Sequence, residues 1–527
     1  MPSSSSSSPI SILQDNVKGA RELLGRLPLN LTSRTASNAF LLGYVINVAL
    51  DGIVPALMRK KGAKEFLSQL VSKASLSAGA SMALFSLLYR LLLERLSSVR
   101  RVMLERLPDT SLEEAYTHRA RLRARAIRLL RSAFLVPFLA ASFASPALYL
   151  FPKKSLVQTY ALDTLLKGAK ASYNEARKAD SRLVSWVPDW VDGGFFYALG
   201  NGQLLWSFLF EPSCFPNGYG NLIMARSTAY VPQRPEMLPP SISWPSPREI
   251  VDTIADLSTP TRTAAPFPGF VSPLLSSLTP SNHPSTEFGA INPIIDYSPA
   301  HPAHERLLCA VLHPGEPSCS RNFVGFFLKE WAASARFVAL FTGIISAFSY
   351  KKFLKDPESA FLKYILTVIQ GATVISGSIG TAWGLICFFQ KYLPRTFMPR
   401  SRYFLNGFLS SVFILAVAPA RRSQLGTYIT RMSVTSSWEI LKKNGKVKPV
   451  RFGEYIMLAL GLGLVSAIYE QRPESLERGM KAILNLLLGA SAAKSQGNKA
   501  FLANKAIVND DDASSSMKKT KGKEKMQ

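Results

Sequence analysis

The sequence predicts an all-α fold: a multi-pass helical membrane protein made of two internally duplicated four-helix halves. Three observations predict it. Of 527 residues, 47% are hydrophobic and only 18% charged, against about 25% charged in ordinary soluble domains, and the mean hydropathy is +0.11. The apolar residues gather into runs close to the roughly 20 residues that cross a hydrocarbon core. Two ordered motifs from the first half of the chain recur in the second. The length alone would suit about two to four soluble domains, a picture the composition argues against. The 62 Lys+Arg against 35 Asp+Glu give a net charge of +27. A basic balance of this size can signal nucleic acid, but here the basic residues lie between apolar runs, as membrane-flanking loops do. Four cysteines in the whole chain exclude a disulfide-stapled secreted domain.

Eight runs are drawn as membrane spans: about Asn38 to Met58, Ala74 to Leu93, Ala133 to Phe151, Gly193 to Phe210, Ala333 to Tyr350, Tyr364 to Phe389, Phe404 to Ala418, and Glu454 to Tyr469. Several are short and glycine-interrupted, so counts from about six to ten remain open. Residues 1–33 form an N-terminal tail, 34–212 the first membrane repeat, 213–304 a proline-rich linker and 305–332 a Cys/His segment. Residues 333–475 form the second repeat, and 476–527 an amphipathic segment with a basic tail. Ile10, Leu13, Val17, Ala20, Leu24 and Leu27 recur at three-four spacing. That suits an interfacial amphipathic helix or a targeting segment, against which Asp15 and Glu22 argue. No signal-peptide apolar region is expected, and Lys525-Met526-Gln527 matches no peroxisomal, ER or prenylation signal.

The connections differ in character. Arg95 to Arg131 carries Arg100, Arg101, Arg106, Arg119, Arg121, Arg123, Arg125 and Arg128, and reads as a helical loop on an anionic membrane surface. Tyr116 is its lone aromatic residue, too few for base stacking. Residues 211–320 hold 19 of the 34 prolines and read as a poorly ordered linker that spans nothing. The acidic, then serine-rich, then lysine-rich tail from Asn509 is expected to be disordered. Lys and Arg flank both sides of the predicted topology, so the usual charge bias does not fix orientation; an even count puts both termini on one side.

The duplication rests on two places. Pro152-Lys153-Lys154-Ser155 leads to Thr159-Tyr160, and Pro419-Ala420-Arg421-Arg422-Ser423 leads to Thr427-Tyr428. Ala198-Leu199-Gly200-Asn201-Gly202 matches Ala459-Leu460-Gly461-Leu462-Gly463. The offsets, 268 residues from Ser155 to Ser423 and 261 from Gly200 to Gly461, agree within a few residues. Small residues four apart, at Ser75, Gly79 and Ala83 and at Ala372, Ser376, Gly380 and Gly384, predict stripes where helices approach closely. Four spans per half make the repeats parallel in orientation.

Enzyme motifs are largely lacking: there is no GxSxG elbow, Walker A loop, HExxH or EF-hand loop. No catalytic residue and no cofactor is therefore expected. Cys309, His313 and Cys319 form one ligand-like constellation, one donor short of the four a closed zinc site needs. His304 or Cys214 is the fourth donor the sequence offers; reduced thiols with a turn at His313-Pro314 is the preferred reading. Glu-Pro-Ser-Cys occurs twice, ending at Cys214 and Cys319, without a physical account. Asp51 inside the first span is costly in lipid, and marks either a polar path or a shorter helix. Asn201 and Gln203 are read as hydrogen-bonding across helices, with a polar cavity as the alternative.

Together these residues resemble the transmembrane protein 135 family. That family is related to the peroxisomal membrane protein 4 family and, more distantly, to translocase subunits of the mitochondrial inner membrane. The resemblance is carried by Cys309, His313, Pro314 and Cys319, by the basic segment leading to Tyr160, and by Asn201-Gly202-Gln203 opening an apolar run. It covers about residues 34–212 and 305–475. One departure is that the Cys/His segment lies mid-chain and no cysteine precedes the first spans. The resemblance implies a multi-pass protein of mitochondrial or peroxisomal membranes tied to organelle dynamics and lipid metabolism, with no established catalysis. The expected role is a non-enzymatic scaffold or regulator. The alternative is a translocation path for a lipid, metabolite or polypeptide at the repeat interface. Expected partners are membrane lipids, with a homo-oligomer or other membrane proteins possible and nucleic acid excluded.

Overall fold

The computed structural model describes residues 31–49, 72–106, 127, 130, 132–182, 184–228, 230–259, 270–272, 291–297, 300–348 and 354–489. The amphipathic N-terminal segment, Asp51, the arginines from Arg119 to Arg128 and the tail beyond residue 489 lie outside the described residues. Among the described residues every regular element is helical and there is no strand.

Helix α1, Leu31–Val48, starts earlier than the first predicted span, and α2 runs from Lys73 to Arg106, 34 residues, well past Leu93. Nothing after Leu93 stops α2: Leu, Glu, Arg and Met propagate a helix readily and neither Gly nor Pro intervenes. Arg95, Arg100, Arg101 and Arg106 of the basic stretch therefore ride on the same helix as the apolar run. The third predicted span splits into α3, Leu135–Ala144, and a 3₁₀ helix, Ser145–Leu150. Pro146 removes a backbone donor there, and Ser145 Oγ bonds back to the Ser142 carbonyl at 2.8 Å. Then come α4, Lys154–Lys178, and α5, Gly193–Phe210; the side chain of Asp192 caps α5 by accepting from the N–H groups of Gly194 and Phe195.

Four short helices follow: α6 Asn217–Ala225, α7 Pro247–Ser258, α8 Asn292–Tyr297 and α9 Leu307–Leu312. For the part that is described they correct the expectation of a poorly ordered linker. Pro247 sits at the first position of α7, where a missing N–H costs nothing, and Ser246 and Glu249 close a capping box over it. Ile250, Val251 and Ile254 on its inner face are fully buried, so the prolines here punctuate a folded segment.

The remaining helices are α10 Cys319–Phe348, α11 Pro357–Tyr392, α12 Ser401–Ser410, α13 Pro419–Lys443, α14 Gly453–Gln471 and α15 Arg478–Leu488. The seventh predicted span divides like the third, with α12 giving way to a 3₁₀ helix, Ser411–Ala416. Ser410 and Ser411 both return their hydroxyls to the Gly407 carbonyl, which competes with the α-helical ladder. Among the described residues three helices are long and apolar enough to cross a membrane: α2 over Lys73–Glu105, α11 and α14; Leu135–Leu150 is a shorter apolar helix.

The chain divides into two compact units, Met1–Trp186 with Val450–Gln527, and Val187–Pro449. This division cuts across the sequence halves. The first unit holds α1–α4 together with α14 and α15. In it α1 lies along α2, and α14 along α4 and α3. A side chain at Gly461 would meet the Leu165 backbone nitrogen at 2.7 Å, and one at Gly463 would meet the Phe138 ring at 2.8 Å. The second unit holds α5–α13, with α5 along α13 and α12. There a side chain at Gly200 would meet Ile429 at 2.9 Å, and one at Gly202 the Phe404 carbonyl at 2.7 Å. The elements match in length as well: 10, 6, 25 and 18 residues for α3, its 3₁₀ helix, α4 and α5, against 10, 6, 25 and 19 for α12, its 3₁₀ helix, α13 and α14. A three-residue 3₁₀ helix ends each series, Pro212–Cys214 and Pro473–Ser475.

Polar clamps close each fourth helix. Glu211, just past α5, binds Lys443 at 2.7 Å. Glu175 on α4 accepts from Ser475, Arg472 and Lys178. Those bonds hold its carboxyl down to about 2. A carboxyl lowered on folding stabilises the fold above its ordinary value near 4.5 and loses that contribution as pH falls toward about 2. Because the clamp touches solvent, its worth is about 1 kcal/mol. Glu175→Gln is expected to lower the unfolding midpoint at pH 7 and leave it unchanged at pH 2, measured by thermal unfolding in detergent.

Candidate functional site

The four residues Cys309, His313, Cys319 and Cys387 converge in the second unit, their ligand atoms all within 4.8 Å of one another. Local folding places each one. Cys309 lies on the inner face of α9, a helix whose residues are all buried. His313 follows the last helical residue with a non-helical backbone (φ −147°, ψ 63°), and Pro314-Gly315 turns the chain toward Cys319, the first residue of α10. Cys387 comes from the last third of α11, one turn after Trp383. Cys309, His313 and Cys387 are buried and Cys319 partly so.

The imidazole of His313 is fixed in orientation. Its Nδ1–H donates to the Glu316 carbonyl at 2.7 Å, which turns Nε2 toward the sulfurs, 3.5 Å from Cys387 Sγ. Cys309 Sγ and Cys319 Sγ are 3.8 Å apart, far beyond a disulfide length of about 2.05 Å. Burial works against a charged His313 ring, yet the sulfurs of Cys309 and Cys319 raise it to about 10. Cys309, Cys387 and His313 in turn hold the Cys319 thiol well below its ordinary value, as does a position at the start of a helix. The cluster thus gathers three sulfurs around one imidazole.

Of the two fourth donors the sequence offers, neither is used. His304 donates from Nε2 to the His313 carbonyl at 3.2 Å and packs its ring on His313, which makes it a support behind the cluster. Cys214 is part-exposed and sits beside Ser213. The fourth member, Cys387, was not proposed because it lies 68 residues beyond Cys319 inside an apolar run. Only its residue type marked it.

Asn201 and Gln203 do hydrogen-bond between helices. Asn201 Nδ2 donates to the Gly407 carbonyl at 3.2 Å and to Ser411 Oγ at 3.0 Å; Gln203 Nε2 donates to Ser436 Oγ at 3.3 Å. Asn201 also lines a cavity of about 60 Å³ with Asn406, Ser378 and apolar side chains such as Trp383 and Leu204. The small-residue stripes behave unevenly. Ser75 is buried and receives Asn47 Nδ2 at 3.1 Å, Gly79 lies against the Phe40 ring, and Ala83 is only part-buried. On α11 Ala372 and Ser376 are buried, and a Cβ at Gly380 would stand 3.0 Å from Phe326. At Gly384 the nearest atom is at 3.5 Å, an ordinary contact. The tighter glycine is Gly377, off the stripe, at 2.5 Å from Phe413. These glycines make room for aromatic rings, where the spacing led us to expect neighbouring backbones. Sequence reasoning also missed Arg402 and Asn406, both buried in α12; Asn406 Nδ2 donates to the Ala382 carbonyl at 2.8 Å.

No family model, no curated protein and no solved structure matches this chain.

Proposed function

We propose that the chain is a multi-pass, non-enzymatic organelle membrane protein, a scaffold or regulator of mitochondrial or peroxisomal dynamics and lipid handling. The supporting observation is an outward apolar band on long helices. Leu340, Phe341 and Ile344 on α10 and Phe361, Leu362 and Leu366 on α11 are all exposed. Contiguous apolar surface of this kind is rare on soluble monomers and is what lipid covers. In this reading the eight helical segments that follow the predicted spans cross or enter the bilayer. The matched element lengths and paired glycines support a duplication in which each unit is completed by the fourth helix of the other sequence half. The organelle assignment rests on the family resemblance alone.

The test is localisation of a tagged, natively expressed copy against mitochondrial and peroxisomal markers, with carbonate extraction and protease protection of each terminus. Carbonate-resistant residence in either organelle with both termini on one side is the expected result. Extraction into the carbonate supernatant would remove the membrane reading, and residence in the plasma membrane or ER would remove the organelle assignment. A second reading, a translocation path, draws on the polar groups at the α5 cavity. Its volume of about 60 Å³ suits a few waters and is far below the roughly 300 Å³ of small ligand sites, so the scaffold reading is preferred. Flux of lipid, metabolite or polypeptide into liposomes above the empty-vesicle level would reverse that order.

A further inference from the structure

We propose that Cys309, His313, Cys319 and Cys387 bind one zinc ion as a closed structural site that fastens the turn after α9 to the long apolar helix α11. The argument is first geometric. A tetrahedron with Zn–S of about 2.3 Å and Zn–N of about 2.0 Å has S–S edges of about 3.8 Å and S–N edges of about 3.5 Å. The Cys309–Cys319 separation is 3.8 Å and the Cys387–His313 separation 3.5 Å. The longest separation in the set, within 4.8 Å, closes with a shift of about 1 Å, well inside side-chain rotation.

The donor chemistry agrees. Three soft sulfurs and one imidazole select zinc over hard cations such as magnesium or calcium. His313 has the outward hydrogen bond that zinc-ligating histidines carry, with Nδ1–H on the Glu316 carbonyl and Nε2 turned inward. Four protein donors leave no open position for water, which makes the site structural and not catalytic. Phe326, Trp383 and Ile386 are buried in the same apolar core as Cys309 and Cys387, which limits water on that side of the site.

The physical consequence is a clasp across the sequence. Cys309 and Cys387 are separated by 78 residues, and a bond network between them holds a segment of the proline-rich region against α11.

The test uses the full chain purified in detergent and reductant without added metal. Elemental analysis is expected to find about one zinc per chain, the stoichiometry of a closed four-ligand site. Cys387→Ser and Cys319→Ser should lose it, while Cys214→Ser should keep it. Alkylation followed by mass spectrometry should label Cys214 at once and the other three cysteines only after a chelator is added. Should the serine variants fail to fold, exchange of the unaltered chain with cobalt(II) still decides, through the intense visible bands and thiolate charge transfer of a tetrahedral sulfur-rich site. Zinc retained by Cys387→Ser would overturn the four-ligand assignment. Absence of zinc together with no cobalt spectrum, or recovery of Cys309 and Cys319 as a metal-free disulfide, would overturn the site.

Discussion

Replacing Gly426 with alanine is expected to destabilise the second unit by about 3 kcal/mol, the upper part of the range for overpacked sites. Gly426 lies in the first turns of α13 where that helix crosses the start of α5. A Cβ there would stand 2.1 Å from the Gly193 carbonyl oxygen, and one at Gly193 would stand 2.3 Å from Ser423 Cα. Both obstacles are backbone, so no side chain can swing aside and the two helix ends must separate. The ion pair between Arg422 and Asp192 at 3.5 Å, next to the crossing, would be strained in the same movement. Chemical unfolding in detergent reads the effect. Gly218→Ala, where nothing lies within 4 Å, is the control, and should be neutral or slightly stabilising because alanine favours helix.

Arg402→Ala is expected to cost a similar amount, about 3 kcal/mol, the combined effect of stripping charged donors from several carbonyls. Arg402 is 1% exposed. Its guanidinium donates to the carbonyls of Pro394 at 2.7 Å and Arg395 at 2.9 Å, and also to Phe397 and Met398. These carbonyls belong to the turn that carries the chain from α11 into α12; those of Pro394 and Met398 also accept the N–H groups of Phe397 and Arg402, and the Arg402 side chain is the donor that all four share. Lysine offers a point charge in place of a planar fork, so Arg402→Lys should recover only part of the loss. A measured midpoint for Arg402→Ala within about 0.5 kcal/mol of the parent, the usual span for surface changes, would mean that the carbonyls find other donors.

Helical class was legible in the sequence because hydropathy and the glycine-containing motifs are local signals. Asp192 before α5 and Ser246-Pro247 before α7 are local signals too, and a reading for caps would have found α7 inside the proline-rich stretch. The ends of helices were less legible. The extension of α2 to Arg106 mixes an apolar run with a charged one, and the 3₁₀ breaks after α3 and α12 depend on serine hydroxyls competing for carbonyls. Pairing was the least legible. The recurrence of Gly200 and Gly461 pointed to two halves, but whether a fourth helix packs on its own half or on the other is a long-range choice that no local pattern encodes. Cys387 escaped for the same reason: three members of the cluster lie within eleven residues, and the fourth arrives only when α11 folds back on them.

The exchange of fourth helices is tested most directly by cysteine crosslinking of Glu175 with Arg472, and separately of Glu211 with Lys443, each pair in contact across roughly 230 to 300 residues of chain. In a Cys214→Ser background in native membranes, both pairs should link efficiently within a single chain when treated with a short bis-maleimide. If the properly inserted protein forms neither link, or forms them only between two copies, then α14 does not complete the first unit nor α5 the second, and the exchanged-helix bundle is wrong.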